Sequence, residues 1–227
     1  MNYSNPIIIL LRKILRFSNL NKILFPLFYG SGYEIKVEKA ILDEISTNDI
    51  VWDIGANIGF YTTKFADKVG VNGKVLAFEP HPETFKILSN SILSKNVSLH
   101  NLGFSKTKDA LKFSNLSNNA LNRIVDKSYD AETVDVNIET IDKFLENDSH
   151  NVPNIMKVDV EGFELYLLEG MEKTIKNEEL RTILIEVHHK LMDDLGIING
   201  AKAIHDMLQN EGYLIKWLDP SHLLAKK

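Results

Sequence analysis

The sequence predicts an α/β protein built on a Rossmann-like, doubly wound and mostly parallel sheet. Three observations favour this fold class. Short apolar segments alternate with helical patterns, several of these segments end in charged or amide residues, and a glycine-bearing turn follows the first of them within Ile50–Tyr61. Alternating strands and helices are typical of a parallel sheet with helices on both faces.

The first turn has the form of a nucleotide-cofactor loop. The strand Ile50–Ile54 contains Asp53, the turn contains Gly55 and Gly59, and an amphipathic helix is predicted over Ile58–Val69. Backbone N–H groups at such a helix start face the ligand, and glycine lets the backbone approach it without a Cβ. A dinucleotide fingerprint would place glycines at positions 55, 57 and 60, whereas positions 57 and 60 hold asparagine and phenylalanine. The loop therefore argues against NAD.

The remaining elements are justified by apolar periodicity. Helices are predicted over residues 33–44, 82–94, 140–145, 163–176 and 201–209, and strands over 74–78, 97–102, 155–160, 182–187 and 213–218. Residues 105–140 form a less regular insertion, with short strands near 110–113 and 133–138 around the polar loop 115–122. We expect this insertion to form a rim or lid over the site within a domain that covers residues 33–227.

Composition bounds the function. The chain has 227 residues, a net charge of −5 and no cysteine. The negative charge argues against nucleic-acid partners, which require a basic face. The lack of cysteine excludes disulfides, thiolate metal sites and cysteine nucleophiles. It is also compatible with the reducing cytoplasm, the expected location.

Residues 1–32 are predicted to form a separate, basic and amphipathic helical segment. Within residues 2–29, the four cations Arg12, Lys13, Arg16 and Lys22 interrupt apolar residues. The charges break any membrane-spanning run, which would need about 20 apolar residues. Two interpretations stay open. The segment lies on an anionic membrane surface, which would make the protein peripheral, or its apolar side packs on the domain or on a second subunit of a homo-oligomer. Apolar stripes at helical spacing usually mean core, which favours packing.

Polar residues end the predicted strands. In an open parallel sheet the ligand lies beyond the carboxyl ends of the strands, so these side chains are the candidate site. Carboxylates near the loop suit a cationic sulfonium ligand rather than a pyrophosphate, and Glu79 has the chemistry to bind both hydroxyls of a ribose. Pro80 sets the chain direction after it. The strand-end residues are Asp53, Glu79, Asn101, Asp159, Glu161, Glu186 and His188.

Four segments resemble the FkbM family of S-adenosylmethionine-dependent methyltransferases. They are Asp53–Gly59, Phe78–Pro82, Lys157–Glu164 and Ile185–His188, and the resemblance covers about Tyr33 to Leu218. It implies the class I methyltransferase fold, S-adenosylmethionine as cofactor, and O-methylation of a hydroxyl on a sugar, glycan or polyketide acceptor. The residues expected to bind the cofactor are Asp53, Gly55, Ala56, Asn57, Gly59, Glu79, Pro80 and Asn101.

The catalytic prediction centres on four residues after the fourth and fifth strands. His188 is the predicted base, Asp159 positions it or the substrate, and Glu161 and Glu186 complete the group. A base is expected because a sugar hydroxyl must lose its proton as the new bond forms. The same group could hold a magnesium or calcium ion, but its spacing matches no fixed metal motif, so a metal is not favoured. N-methylation and a non-catalytic cofactor-binding module remain as alternatives.

Overall fold

The computed structural model of the protein describes residues 32–108, 111–114, 124–125, 133–147 and 152–227. The chain divides into two compact units, residues 1–40 and 41–227. The described part of the first unit belongs to helix α1, which runs from Gly32 to Leu42. The segment predicted over residues 2–29 lies outside the described residues, so its two interpretations remain predictions. In the described part of the chain, no helix is long and apolar enough to cross a bilayer.

A seven-stranded sheet forms the centre of the second unit as described. Four of its strands, at residues 50–54, 74–78, 155–158 and 182–186, are buried almost throughout, as expected for parallel strands covered on both faces. The strands are β1 (Ile50–Ile54), β2 (Lys74–Phe78), β3 (Val97–His100), β4 (Ile155–Val158), β5 (Thr182–Glu186), β6 (Leu214–Trp217) and β7 (His222–Lys226). The other α-helices of the described residues are α2 (Phe60–Val69), α3 (Pro82–Ser91), α4 (Ile141–Asn147), α5 (Glu164–Glu169), α6 (His189–Asp194) and α7 (Gly200–Asn210).

The strand order is β3-β2-β1-β4-β5-β7-β6. The first five strands are parallel, and β7 is antiparallel to both of its neighbours. This confirms the predicted doubly wound, mostly parallel sheet. Because β1 pairs with β2 on one side and β4 on the other, the strand order reverses between β1 and β4, where open α/β sheets bind ligands.

The register brings the strand ends level. Ile54 lies opposite Phe78 on one side and Val158 on the other, and Val158 lies opposite Ile185. The residues that follow these four therefore emerge at the same edge of the sheet. Among them are Gly55, Glu79, Asp159 and Glu186.

Strand β7 was missed by the sequence prediction, which placed the last strand at residues 213–218. The segment His222–Lys226 pairs antiparallel with both β5 and β6. Its apolar run, Leu223–Ala225, is only three residues long. It follows a turn held by Asp219, whose carboxylate accepts backbone N–H bonds from Ser221 and His222 at 2.7 Å each. This strand brings a second histidine to the site edge.

The predicted helix over residues 163–176 was too long. The α-helix ends at Glu169, and a separate 3₁₀ turn covers Thr174–Lys176. Asp142 caps the start of that turn, because its carboxylate accepts hydrogen bonds from the backbone N–H groups of Lys173 and Thr174 at 2.8 and 2.9 Å. A distant cap of this kind leaves no local sequence signal.

Among the described residues, the insertion and the two residues at 103–104 form two small sheets. Gly103–Phe104 pairs parallel with Ile138–Glu139, and Leu111–Ser114 pairs antiparallel with both Ile124–Val125 and Thr133–Val136. Strands near both predicted positions are confirmed. The predicted polar loop 115–122 lies outside the described residues, and the role of the insertion as a rim or lid stays a prediction.

Candidate active site

The loop after β1 is attached by hydrogen bonds to the end of β2. The backbone N–H groups of Gly55 and Ala56 both donate to the carbonyl of Phe78 at 3.0 Å, and the N–H of Asn57 donates to Glu79 Oε2 at 3.0 Å. Gly55, Asn57 and Gly59 all have positive φ. The loop therefore curls tightly before helix α2, as a cofactor loop at a helix start does.

Gly55 is required for close packing as well as for its φ. A Cβ added to Gly55 would lie 1.8 Å from the backbone oxygen of Asp159, and the φ of Gly55 is +78°. Gly196 has nearly the same φ, +76°, and nothing within 4 Å of an added Cβ. We therefore expect Gly196→Ala to cost about 1–2 kcal/mol, the ordinary penalty of the left-handed region. Gly55→Ala should cost about 4 kcal/mol or more, because it also forces apart the loops after β1 and β4.

Urea unfolding of the two variants separates these effects, because they share the backbone strain and differ only in the clash. Equal losses in the free energy of unfolding would contradict the tight approach of the two loops.

Glu79 is held at the end of β2 with both carboxylate oxygens engaged. Oε1 accepts the N–H of His81 at 2.9 Å and Oε2 that of Asn57. Burial raises the pKa of Glu79 to about 7, against the opposing effect of these hydrogen bonds. Each carboxylate oxygen has a second lone pair, so the group retains the capacity to accept bonds from ribose hydroxyls.

Asn101 stabilises the turn formed by Glu79 and Pro80. The side-chain amide of Asn101 donates to the carbonyls of Glu79 and Pro80 at 2.9 Å each. The structure thus places Asn101 as a brace for the turn, while its direct contact with a cofactor remains a prediction.

Asp53 lies beneath the loop and has no exposed surface. Its Oδ2 accepts the hydroxyl of Thr62 at 2.6 Å, and its Oδ1 lies 3.6 Å from Lys157 Nζ. Burial raises the pKa of Asp53, and Lys157 and Thr62 oppose that rise. The expectation that Asp53 lies beside the ligand is therefore corrected: a fully buried carboxylate acts on the loop through its partners.

Lys157 joins the loops after β1 and β4. Its buried ammonium group donates to Asp159 Oδ2 at 3.1 Å and to the carbonyl of Gly55 at 3.2 Å. Burial lowers its pKa, but the charges of Asp159 and Asp53 outweigh burial and raise it. Lys157 therefore links Asp159, at the end of β4, to the loop after β1.

His188 is the centre of a carboxylate cluster. Its Nδ1 lies 2.8 Å from Glu164 Oε1, so its Nε2 faces the sheet edge. There Nε2 lies 3.4 Å from Glu161, 3.8 Å from Asp159 and 3.9 Å from Glu186. The structure therefore brings together all four residues of the catalytic prediction, although β5 ends at Glu186 and His188 caps the start of α6 instead of lying on the strand.

The charges around His188 change its predicted role. Burial lowers its pKa, but the hydrogen bond and charge of Glu164, with Glu161 and Asp159, outweigh burial and raise the pKa to about 10. An imidazole with this pKa already carries its proton at neutral pH and cannot take another. The assignment of His188 as the base is thus revised in favour of a neighbouring group.

Glu161 has the properties that a general base requires. Burial raises its pKa to about 7, with the charge of His188 opposing the rise and the nearby carboxylates adding to it. Its backbone has φ of +50°, an uncommon conformation outside glycine that clusters at functional sites. A base works best with a pKa near the operating pH, and about a third of the Glu161 side chain is exposed at the edge.

One group of described residues has the spacing of a metal site. Asp159, Glu161 and His188 each offer one atom within 4.8 Å of the others. Two carboxylates suit a hard divalent cation, and Glu164 would orient the imidazole as carboxylates do behind metal-bound histidines. The residues fit such an ion, but His188 can ligate only after losing its proton. The metal alternative therefore remains an unfavoured prediction.

Three functional candidates were missed by the sequence reasoning: Glu164, Asp219 and His222. Glu164 has no exposed surface and stands between buried Phe163 and Leu165. A lone acidic residue inside an apolar helical stretch is the signal that could have identified it. No such signal marks His222, because its relevance depends on the unpredicted strand β7.

The fold and the site together define the class of protein. A doubly wound sheet with one antiparallel strand inserted next to its edge strand, a glycine loop after β1 and a carboxylate after β2 are the features of a class I methyltransferase. The chain belongs to the methyltransferase FkbM domain family, whose model matches residues 53–215. The predicted family and fold class are confirmed, and the cofactor of such methyltransferases is S-adenosylmethionine.

Known relatives share part of their length with this chain. Hexuronic acid methyltransferase AglP of Haloferax volcanii is 29% identical over 161 residues, which cover 68% of this chain and 62% of that protein. Methyltransferase 1 of Beauveria bassiana is 26% identical over 191 residues, or 74% of this chain and 73% of that protein. The solved structure of an FkbM methyltransferase from Methylobacillus flagellatus matches with a TM-score of 0.53 at 19% identity. That match covers 81% of this chain and 44% of the other. The chain thus spans less than two thirds of the first relative and of this solved structure.

Proposed function

We propose that this chain transfers a methyl group from S-adenosylmethionine to a hydroxyl of a sugar-type acceptor. The observation that carries the proposal is the position of Glu161. It lies beside a histidine that is oriented by a buried carboxylate, at the edge of the sheet next to the cofactor loop. Bound S-adenosylmethionine supplies an electrophilic methyl group on a sulfonium centre.

The residues of the loop fit this cofactor. The backbone from Gly55 to Gly59 presents a tight turn at the start of α2, and Glu79 retains acceptor lone pairs for ribose hydroxyls. The carboxylate of Asp159, 3.1 Å from Lys157 Nζ, lies at the edge where a cationic group would bind. Opposite charges at such distances attract more strongly at a partly buried site than in water.

Catalysis by the chain then consists of orientation and proton removal. Glu161 accepts the proton of the acceptor hydroxyl, and the imidazolium of His188, 3.4 Å away, stabilises Glu161 as an anion until that proton arrives. Glu164 keeps Nδ1 of His188 occupied, which aims Nε2 at the reacting edge. A positioned base contributes about 10²–10⁴-fold, and orientation of the reacting groups supplies the larger part.

A sugar acceptor is supported by the relative from Haloferax volcanii, which is named as a hexuronic acid methyltransferase. A base near Glu161 is also required more by a hydroxyl than by an amine, which is nucleophilic without it. This favours O-methylation over the alternative of N-methylation. The retained acid–base cluster equally argues against a non-catalytic binding module.

Isotope transfer tests the proposal. We expect the chain, incubated with methyl-¹³C-labelled S-adenosylmethionine and methyl glucuronoside, to yield a ¹³C methyl ether that is detected by NMR. Methyl glucoside serves as a second acceptor that lacks the carboxylate. A methyl ester on the glucuronoside, or transfer to amines but to neither sugar, would contradict O-methylation of a hydroxyl.

A further inference from the structure

We infer that His222 is a positioning residue that holds Glu186 in place to bind a second hydroxyl of the acceptor. This inference rests on the proposed function and deepens it, since it specifies an acceptor with neighbouring hydroxyls. His222 lies beyond residue 215, where the family match ends. Its place in the site follows only from strand β7.

The pairing of β5 with β7 brings Glu186 and His222 into contact. Glu186 and His222 are direct partners in the antiparallel register, so their side chains emerge on the same face of the sheet. His222 Nε2 lies 3.3 Å from Glu186 Oε2. The other carboxylate oxygen, Oε1, lies 3.9 Å from His188 Nε2, which places it toward the reacting edge.

Asp219 fixes His222 from behind. Its carboxylate lies 3.1 Å from His222 Nδ1 and also accepts the backbone N–H of His222 at 2.7 Å. Both Asp219 and His222 are buried, at 5% and 9% exposure. Asp219, His222 and Glu186 thus form a chain of contacts that runs from a buried carboxylate through an imidazole to a partly exposed carboxylate at the site. Glu164, His188 and Glu161 form a second chain of contacts in the same order.

Glu186 and Glu161, the partly exposed carboxylates that end these two chains of contacts, differ in their pKa. Burial raises the pKa of Glu186, but the hydrogen bond and charge of His222, with His188 and Lys157, outweigh burial and lower it. The pKa of Glu161 is instead raised to about 7. When neighbouring carboxylates differ in this way, their roles differ as well. Glu161 can take up a proton, whereas Glu186 stays an anion that accepts a hydrogen bond from a hydroxyl it does not deprotonate.

The first test needs no acceptor. In the full chain saturated with S-adenosylhomocysteine, ¹H–¹⁵N correlation of the imidazole rings at neutral pH should show His222 as an imidazolium. Glu186→Gln should shift the His222 signals toward the neutral form, whereas Glu172→Gln should not move them. Glu186 is about one third exposed, so its variant tests the link without disturbing the core. A His222 ring that is neutral in the parent chain, or insensitive to Glu186→Gln, would overturn the inference even if methyl transfer were confirmed.

The second test separates positioning from folding. With methyl glucuronoside as acceptor, His222→Gln should raise KM about tenfold or more, the loss expected for a charge-assisted hydrogen bond, and change kcat little. In the Glu186→Gln background, His222→Gln should have no further effect, because residues that act through one another are not additive. His205→Gln, on α7, is the matched control. Equal losses from His222→Gln in both backgrounds would contradict action through Glu186.

Discussion

Replacing Glu161 by glutamine is expected to lower kcat for methyl transfer by about 10²–10⁴-fold, the contribution of a positioned general base. The amide keeps the size and the contact with His188 but cannot accept the proton of a hydroxyl. The affinity for S-adenosylhomocysteine should stay within about twofold, since Glu161 lies after β4 rather than on the cofactor loop. Steady-state kinetics and calorimetry on the same preparations measure both effects.

The pH dependence of methyl transfer provides a second test of Glu161 as the base. Glu161 acts as a base only when ionised, and its pKa is about 7. Activity should therefore rise with pH and level off above about 7, then fall as His188 loses its proton near its own pKa of about 10. Glu161→Gln should abolish the acidic limb, whereas Glu172→Gln, at an exposed position, should leave the profile unchanged. A variant that keeps both its rate and its acidic limb would show that another group, or an amine acceptor, is involved.

Lys157→Met is expected to cost about 3–5 kcal/mol in the free energy of unfolding, the penalty for removing one partner of a buried ion pair. The methionine fills a similar volume but leaves fully buried Asp53 without its cation and Asp159 with one fewer partner. Urea unfolding at neutral pH measures the loss, with the slope of the transition compared to confirm that only stability has changed. Lys143→Met removes an exposed ion pair with Glu146 and should leave the midpoint unchanged.

The loss caused by Lys157→Met should itself depend on pH. The pKa of Asp53 is raised by burial, so the folded state binds a proton more tightly than the unfolded state does. A group of this kind stabilises the fold at low pH, and its contribution disappears as pH rises through the folded-state pKa. Lys157 opposes this rise, so its removal raises the pKa of Asp53 further. Protonation of Asp53 in mild acid then offsets part of the loss, and the variant should lose less stability there than at neutral pH. A loss that is small at every pH would contradict a buried, ionised pair at this position.

Much of the fold was predictable because its signals are local. Short, mainly apolar segments identify β1, β2, β4 and β5, and the residues after them converge as parallel strand ends must. The loop at Gly55 and the carboxylate at Glu79 were recognisable for the same reason. Strand β7 was not, because a five-residue strand after a turn is defined by its pairing with β5 and β6.

The chemistry of the site was less predictable because it depends on contacts between distant residues. The sequence alone suggests that Asp53 lies near the ligand, whereas in the structure it is fully buried in contact with Thr62 and Lys157. His188 reads as a base until Glu164, 24 residues earlier, is found against its Nδ1. Protonation depends on the sum of burial and neighbouring charges, which the order of residues along the chain does not reveal.

The central claim is that the loop from Gly55 to Gly59, with Glu79, binds S-adenosylmethionine. Isothermal titration of the folded full chain with S-adenosylhomocysteine, and separately with NAD, tests it most directly. We predict saturable one-to-one binding of S-adenosylhomocysteine, weakened by Glu79→Ala, and no heat from NAD. Binding of NAD in its place, or of neither ligand by protein shown to be folded, would contradict the account.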